Sequence, residues 1–267
     1  MEAAVGSGRG LAEAYSRTGR AWEEGPARLV YDRLARVLVA TSPVPLAGRR
    51  VLDVGAGTGA AARSIVAAGG WPVAVDVSLG MLRANATSVG RAVVGDARRL
   101  PVRTGAADGL VAAFSFNHLR DPATGFREAR RVCRPGSPVL VAAYAADDHH
   151  PVKAAAEQAM VEAGWAPEPW YDDLRAHAIP RLATVDGMRA AARSGGLDGH
   201  AERLVVAFPE LSPGDLVAWR LGMAPTAPFL AGLAPAARTE IRARALDLLG
   251  AAPPPLQRSI VVFTGSS

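Results

Sequence analysis

Apolar and polar positions follow two different periods along this chain. Between residues 11 and 41 apolar side chains recur at helical spacing, Leu29, Val30, Leu34, Val37 and Leu38 among them, until Ser42-Pro43-Val44-Pro45 interrupts the pattern. Short apolar runs then alternate with amphipathic stretches. The runs predict strands at about 50–54, 72–76, 91–94, 108–114 and 137–144, and the stretches between them predict helices at about 59–69, 78–86 and 121–134. Asp121-Pro122 is a sound start for the last of these, an N-cap acceptor followed by a proline whose missing amide costs nothing, and Arg134-Pro135-Gly136 stops it. Strands and helices alternating at this spacing imply parallel strands, right-handed crossovers and helices on both faces of the sheet. Ligands of such sheets sit at the C-terminal ends of the strands.

Beyond residue 145 the rhythm changes. DDHHPVKAAAEQAMVEAG predicts a loop and a helix, GWAPEPWYDD is aromatic and proline-rich, and TVDGMRAAARSGGL predicts a further helix. HAERLVVAF and QRSIVVFTG predict strands on either side of two helices, LSPGDLVAWRLG and LAPAARTEIRARALDLLG, with a proline linker at 253–255. No internal repeat is visible.

At 267 residues and 49% hydrophobic composition, the chain can bury a sizeable core without staples. The single cysteine, Cys133, forbids an internal disulfide, and its context, RVCRPG, suits a packed hydrophobe. The N-terminus has an acid at its second position and no apolar run, and no stretch reaches the ~18 apolar residues of a membrane span, so a soluble, cytoplasmic protein is expected. The formal charge of +5 comes almost wholly from arginines scattered among Asp and Glu, which describes solvated faces better than a nucleic-acid footprint. A monomer or homodimer acting on a small molecule, with no membrane and no nucleic acid as partner, is the expectation.

The first predicted strand runs into VLDVGAGTG. Gly55, Gly57 and Gly59 let the backbone come close to a ligand and aim turn amides and a helix N-terminus at it. Read as Gly55-x-Gly57-x-x-Ala60, the stretch also satisfies a relaxed dinucleotide fingerprint, a weak signal by itself. Asp53 weighs against a pyrophosphate and towards a ligand carrying an ammonium group, such as S-adenosylmethionine. Asp76 follows about twenty residues after the glycines, where an acid accepts ribose hydroxyls. Asp96, just past the third strand, suits either the exocyclic amine of an adenine or a helix N-cap.

VLDVGAGTG, AVDVSLGML, VVGDARRLP, DGLVAAFSFNHLRDP and EARRVCRPGSPVLVAAY resemble, in that order, the successive motifs of class I S-adenosylmethionine-dependent methyltransferases, in the branch typified by quinone and natural-product enzymes (methyltransferase type 11). The resemblance covers roughly residues 10 to 145. It implies an α/β, Rossmann-like, doubly wound sheet of seven strands with the last antiparallel, accommodating HAERLVVAF and QRSIVVFTG at one edge. It divides the chain into an N-terminal helical lid segment, 1–45, and a cofactor-binding domain, 46–267, with helical lid insertions at about 146–182 and 210–255. By the same resemblance Asp53, Gly55, Ala56, Gly57 and Gly59 surround the amino-acid end of S-adenosylmethionine, and Asp76 its ribose. Val77 and Met81 cover one face of the adenine, Gly95, Asp96 and Ala97 lie at its amino edge, and Phe114 and Ser115 lie beside the thioether. Tyr15 matches a position that folds over the cofactor, although an ordinary helix tyrosine is an equal alternative. Ser137 departs from the family where a second glycine often follows Pro-Gly.

Methyl transfer from a sulfonium is an in-line displacement in which positioning and desolvation supply much of the acceleration, leaving S-adenosylhomocysteine as product. A general base matters for an oxygen or carbon acceptor, and His118 in FSFNHL is the best-placed candidate; ordering its loop is the alternative role. His149 and His150, after the fifth strand, are candidates for acceptor binding or base work, and their adjacency with no third ligand at metal spacing predicts no metal site. Tyr144, Trp170, Trp219 and Met223, in a region that also holds Trp165, Tyr171 and Phe229, are candidates for an apolar wall around the acceptor, with packing against the sheet the competing role. A cyclase or isomerase that keeps the cofactor as a scaffold, a nucleic-acid methyltransferase, a nicotinamide-dependent reductase and a non-enzymatic binding protein are alternatives. FSFNHL lacks the Asn/Asp-Pro-Pro-aromatic segment used on purine amino groups, and no Tyr-x-x-x-Lys pair is present, since His149 stands four residues before Lys153.

Overall fold

In the computed structural model, residues 2–85 and 91–267 are described, the first eight of them by backbone alone. The end of the predicted 78–86 helix therefore reaches outside the described residues. The chain begins with α1 (Glu2–Trp22), continues through a π-helical stretch (Glu23–Tyr31) into α2 (Asp32–Ala40), and breaks at Ser42-Pro45 as the sequence predicts. Pro26 lies inside the π-helical stretch, where wider hydrogen-bond spacing tolerates its missing donor and the helical path runs on.

Alternation follows: β1 (Arg50–Val54), α3 (Ala60–Ala67), β2 (Trp71–Asp76), α4 (Leu79–Ala84), β3 (Ala92–Val94), β4 (Gly109–Ala113), α5 (Pro122–Val132) and β5 (Pro138–Tyr144). Each lies within two residues of its predicted bounds. The Asp121 carboxylate accepts from the Ala123 amide at 3.2 Å, the cap expected of Asp-Pro. The second half contains α6 (Pro151–Glu162), α7 (Pro169–Asp173), α8 (Val185–Ser194), β6 (Asp198–Phe208), α9 (Pro213–Leu221), α10 (Ala227–Ala231), α11 (Pro235–Leu249) and β7 (Leu256–Ser266). The aromatic, proline-rich stretch thus becomes the short helix α7, whose first position is a proline.

The strand order is β3-β2-β1-β4-β5-β7-β6, parallel from β3 to β5, with β7 antiparallel to both of its neighbours. This is the seven-stranded, doubly wound sheet that the motifs imply. Alternate strand residues feed two cores, one on each face. Val51, Val111, Leu140 and Val262 pack against α2, α3, α6, α9 and α11, whereas Leu52, Leu110, Val141 and Phe263 pack against α5 and α8. Because α6, α9 and α11 pack on one another and on the N-terminal helices, that face carries a second layer beyond the sheet. Cys133 is buried in the other core, and burial pushes its thiol up to about 12, an inert packing residue.

Candidate active site

Reversal of strand order at β1 opens a crevice beyond the C-terminal ends of β1, β2, β4 and β5, where side chains from neighbouring strands diverge. A cavity of about 950 Å³ occupies it, walled by α1, α7 and α9, at the upper end of the range for a single small ligand and with room for cofactor and acceptor together. Asp53, Asp76 and Asp96 all line this one cavity, together with Gly55, Ala56, Gly57, Val77, Met81, Gly95, Ala97, Phe114 and Ser115.

Close packing dictates the backbone of the glycine turn. At Gly55, with φ +70°, a Cβ would stand 2.2 Å from the Ser115 Cβ, and Ser115 is itself held by donating its hydroxyl to the Val54 carbonyl at 2.6 Å. Gly59 is walled in similarly by Asn85, so it shapes the turn behind the cavity instead of lining it. Gly57, with φ +54°, faces the cavity and would meet only the mobile tip of Met81, at 3.3 Å. Phe114 is the one non-glycine residue with positive φ among those described, at +60°, and stands at the end of β4 with its ring 4.6 Å from that of Tyr144.

Three acids close the crevice in three different ways. Asp53 is buried, one of its carboxylate oxygens has no partner, and burial pushes its carboxyl up to about 7, the Ala62 amide opposing. Asp76 accepts from the amides of Gly57 (2.8 Å) and Ser78 (2.7 Å), and its carboxyl too is raised by burial. Asp96 overturns the helix N-cap alternative. No helix follows, and its carboxylate accepts from the Arg98 amide (2.8 Å) and guanidinium (2.6 Å). Burial alone would raise this carboxyl, yet Arg98 holds it below its ordinary value. It lines the cavity as one half of an ion pair.

The cavity also has an aromatic wall, beside charged lining residues that include Arg120, Asp121, Lys153 and Asp173. Tyr15, Trp22, Tyr31, Phe114 and Tyr144 form a continuous run of ring contacts with centroids 4.6 to 5.7 Å apart. Trp170, Tyr171, Trp219 and Met223 complete the wall; Trp165, by contrast, packs in the core and donates its indole N–H to the Pro225 carbonyl at 3.0 Å. Arg258 lies flat between Tyr144 (4.1 Å) and Trp219 (4.6 Å) and is ion-paired with Asp148. Sequence reasoning missed Trp22, Tyr31 and Arg258. For Trp22 the signal was there: it lies two helical turns after Tyr15, on the same face.

The three candidate histidines take three different places. His118 ends the short 3₁₀ turn Phe116–His118, lines the cavity 5.7 Å from the Tyr15 ring, and is pushed down to about 4 by burial, so it is neutral at pH 7. His149 is exposed at the rim. His150 lines the cavity and also caps a helix: its Nδ1 accepts from the Val152 amide at 3.2 Å, and its Nε2 lies 2.9 Å from the Pro254 carbonyl, which it reaches as a donor. Both ring nitrogens are thereby engaged. Asp147 pairs with Arg203, and among the described residues no three His, Cys, Asp or Glu gather as metal ligands.

The cavity meets a direct test of fit to S-adenosylmethionine. An orphaned buried carboxylate oxygen awaits a cationic group at Asp53, and a glycine without a side chain opens the floor beside it. Residues 52–141 match the family model described as "Methyltransferase domain". A demethylmenaquinone methyltransferase of Mycolicibacterium vanbaalenii is 36% identical over 132 residues, covering 49% of this chain and 56% of that enzyme; the chain thus spans about half the length of the curated relatives it matches. Among solved structures, a SAM-dependent methyltransferase from Thermotoga maritima covers 95% of this chain and 98% of its own at 14% identity, with a TM-score of 0.58. Phosphoethanolamine N-methyltransferase 2 of Haemonchus contortus, in complex with S-adenosyl-L-methionine, covers 88% of this chain and 52% of its own at 18% identity, with a TM-score of 0.52. At these identities the structures establish the fold. Sheet order, motif order and the match over residues 52–141 make this chain similar to class I S-adenosylmethionine-dependent methyltransferases.

Proposed function

We propose that the protein transfers the methyl group of S-adenosylmethionine to a small apolar or aromatic acceptor at oxygen or carbon. The observation that carries this reading is the joint lining of one cavity by the glycine turn with its three acids on one side and by an aromatic wall on the other. When bound, S-adenosylmethionine supplies a methyl on a sulfonium, open to in-line attack. Asp53 holds the ammonium end and Asp76 the ribose hydroxyls, while Val77 and Met81 cover the adenine. Asp96 and Ala97 bound the adenine's amino edge. Residues 1–45 serve as a lid through Tyr15, Trp22 and Tyr31, whose rings exclude water from the reacting centre.

His118, neutral and weakly basic, accepts a proton only from an acceptor whose hydroxyl or carbon is itself acidic. The acceptor walls Tyr144, Trp170 and Trp219 lie outside the matched span 52–141, so the quinone acceptor of the relatives does not transfer by similarity. Incubation with methyl-labelled S-adenosylmethionine and a panel of phenols, enols and quinols tests the reaction. Labelled product is expected. Binding of S-adenosylmethionine by calorimetry with no labelled product from any of them would favour the scaffold role, and no binding heat at all would overturn both.

A further inference from the structure

The acceptor side of the cavity carries positive charge that methyl transfer itself does not require. Whereas the cofactor's acids end β1 and β2 or follow β3, a group of cations stands over β5 and β7, on the other side of β1 and β4 in the sheet. Arg258 is matched by Asp148. Lys153 and Arg220 are not so matched. Lys153, the only lysine of the chain, stands in the first turn of α6 and lines the cavity, and among the described residues its ammonium makes no ion pair or hydrogen bond. Arg220, in the last turn of α9, is 12% exposed, touches the Glu157 carboxylate only at 3.8 Å, and has a buried Nε with no partner. Glu157, four residues after Lys153 on α6 and outside the cavity lining, is the carboxylate nearest Arg220, and Lys153 reaches the cavity from an exposed position. Burial draws the Lys153 ammonium below its ordinary value, with Glu157 opposing and Arg220, Arg175 and Arg258 adding to the fall.

A buried donor without an acceptor and a second cation beside it describe one half of a binding site, and the missing half is an anion. Resting on the methyltransferase reading, we infer that the acceptor is an aromatic organic acid, its carboxylate held by Arg220 and Lys153 while its ring lies against Trp219, Tyr171 and Tyr144. A carboxylate next to an acidic hydroxyl also suits the weak base that His118 supplies.

The experiment compares 2-naphthoate with 2-naphthamide, equal in shape and different in charge, by titration calorimetry on the full chain saturated with S-adenosylhomocysteine. We expect the acid to bind roughly tenfold or more tighter than the amide, and this preference to vanish in Arg220→Gln and Lys153→Gln with affinity for S-adenosylhomocysteine unchanged. A second measurement needs no variant. Lys153 is the sole lysine, so reductive methylation read by mass spectrometry reports on it alone beside the chain terminus, and naphthoate but not naphthamide should slow it. Equal affinities, no naphthoate binding up to about 1 mM, or a preference that survives in both variants would overturn the inference. Heat from S-adenosylhomocysteine is recorded first: its absence sinks the methyltransferase reading, and the naphthoate comparison is then read without it.

Discussion

A methyl group added at Gly55 and one added at Gly57 have different consequences, although the two glycines share one turn. At Gly55 the new Cβ would lie 2.2 Å from that of Ser115, so Gly55→Ala should lower the melting temperature by about 5–10 °C. At Gly57 only the end of Met81 is near, so alanine should cost about 1 kcal/mol of stability for its left-handed backbone while weakening S-adenosylmethionine roughly tenfold, because its methyl enters the cavity. Thermal melts and calorimetry on the pair separate the two effects. Asp53 makes a prediction of opposite sign. Its carboxyl is raised to about 7 in the folded chain, so the folded state binds this proton more tightly than the unfolded one, and stability falls as pH rises from about 4 to 7. The loss is on the order of 4 kcal/mol, and Asp76, also raised by burial, adds to it in the same direction. Asp53→Asn should remove much of this slope and leave the cofactor-free protein more stable than wild type at pH 8 in denaturant titrations. A wild-type stability that stays flat between pH 5 and 8 would contradict it.

At the scale of elements, the wall of the site depends on how closely α1 approaches α4. Ser16 and Ser78 share a hydrogen bond at 2.9 Å, and a Cβ at Gly80 would come within 2.1 Å of the Ser16 carbonyl oxygen. Gly80→Ala should therefore displace α1 without disturbing the sheet, carrying Tyr15 away from His118. Faster hydrogen exchange and proteolysis in residues 10–22, with a melting temperature lowered by only a few degrees, is the expected outcome; unchanged exchange there would show that the helix pair has slack. Elements built from local periodicity were legible from sequence, since apolar strands flanked by glycines and an Asp-Pro cap act over a few residues. The helical path through Pro26 was legible from the 11–41 periodicity, although the π-helical form that accommodates the proline was not. The capping role of His150 was hidden for a different reason: its partner carbonyl lies at Pro254, 104 residues away, and no spacing announces that contact. The pairing of Asp96 was not legible although its partner is only two residues on, because Asp-x-Arg looks the same whether or not the two side chains meet.

For the whole molecule, the grip proposed for Asp53 on the ammonium end of S-adenosylmethionine would link binding to the protein's stability through one buried acid. An ammonium placed against Asp53 requires the ionised carboxylate, so binding expels a proton wherever the free protein holds one, below about pH 7. Affinity for S-adenosylmethionine should thus rise up to tenfold per pH unit on approaching pH 7, level off, and decline again above about pH 8 as the ligand's own α-amine loses its proton. At a hundredfold excess over Kd the bound state is stabilised by about 2.7 kcal/mol, a shift of roughly 5–10 °C for a chain of this size. At a fixed ligand concentration that shift should be visibly smaller at pH 5.5 than at pH 7.5. In the Asp53→Asn variant the acid limb should disappear, leaving weak binding that is flat below pH 7. Should wild type and variant instead trace parallel curves, the proton lost on binding comes from another group, and Asp76, buried beside the Gly57 amide, is the next to be replaced.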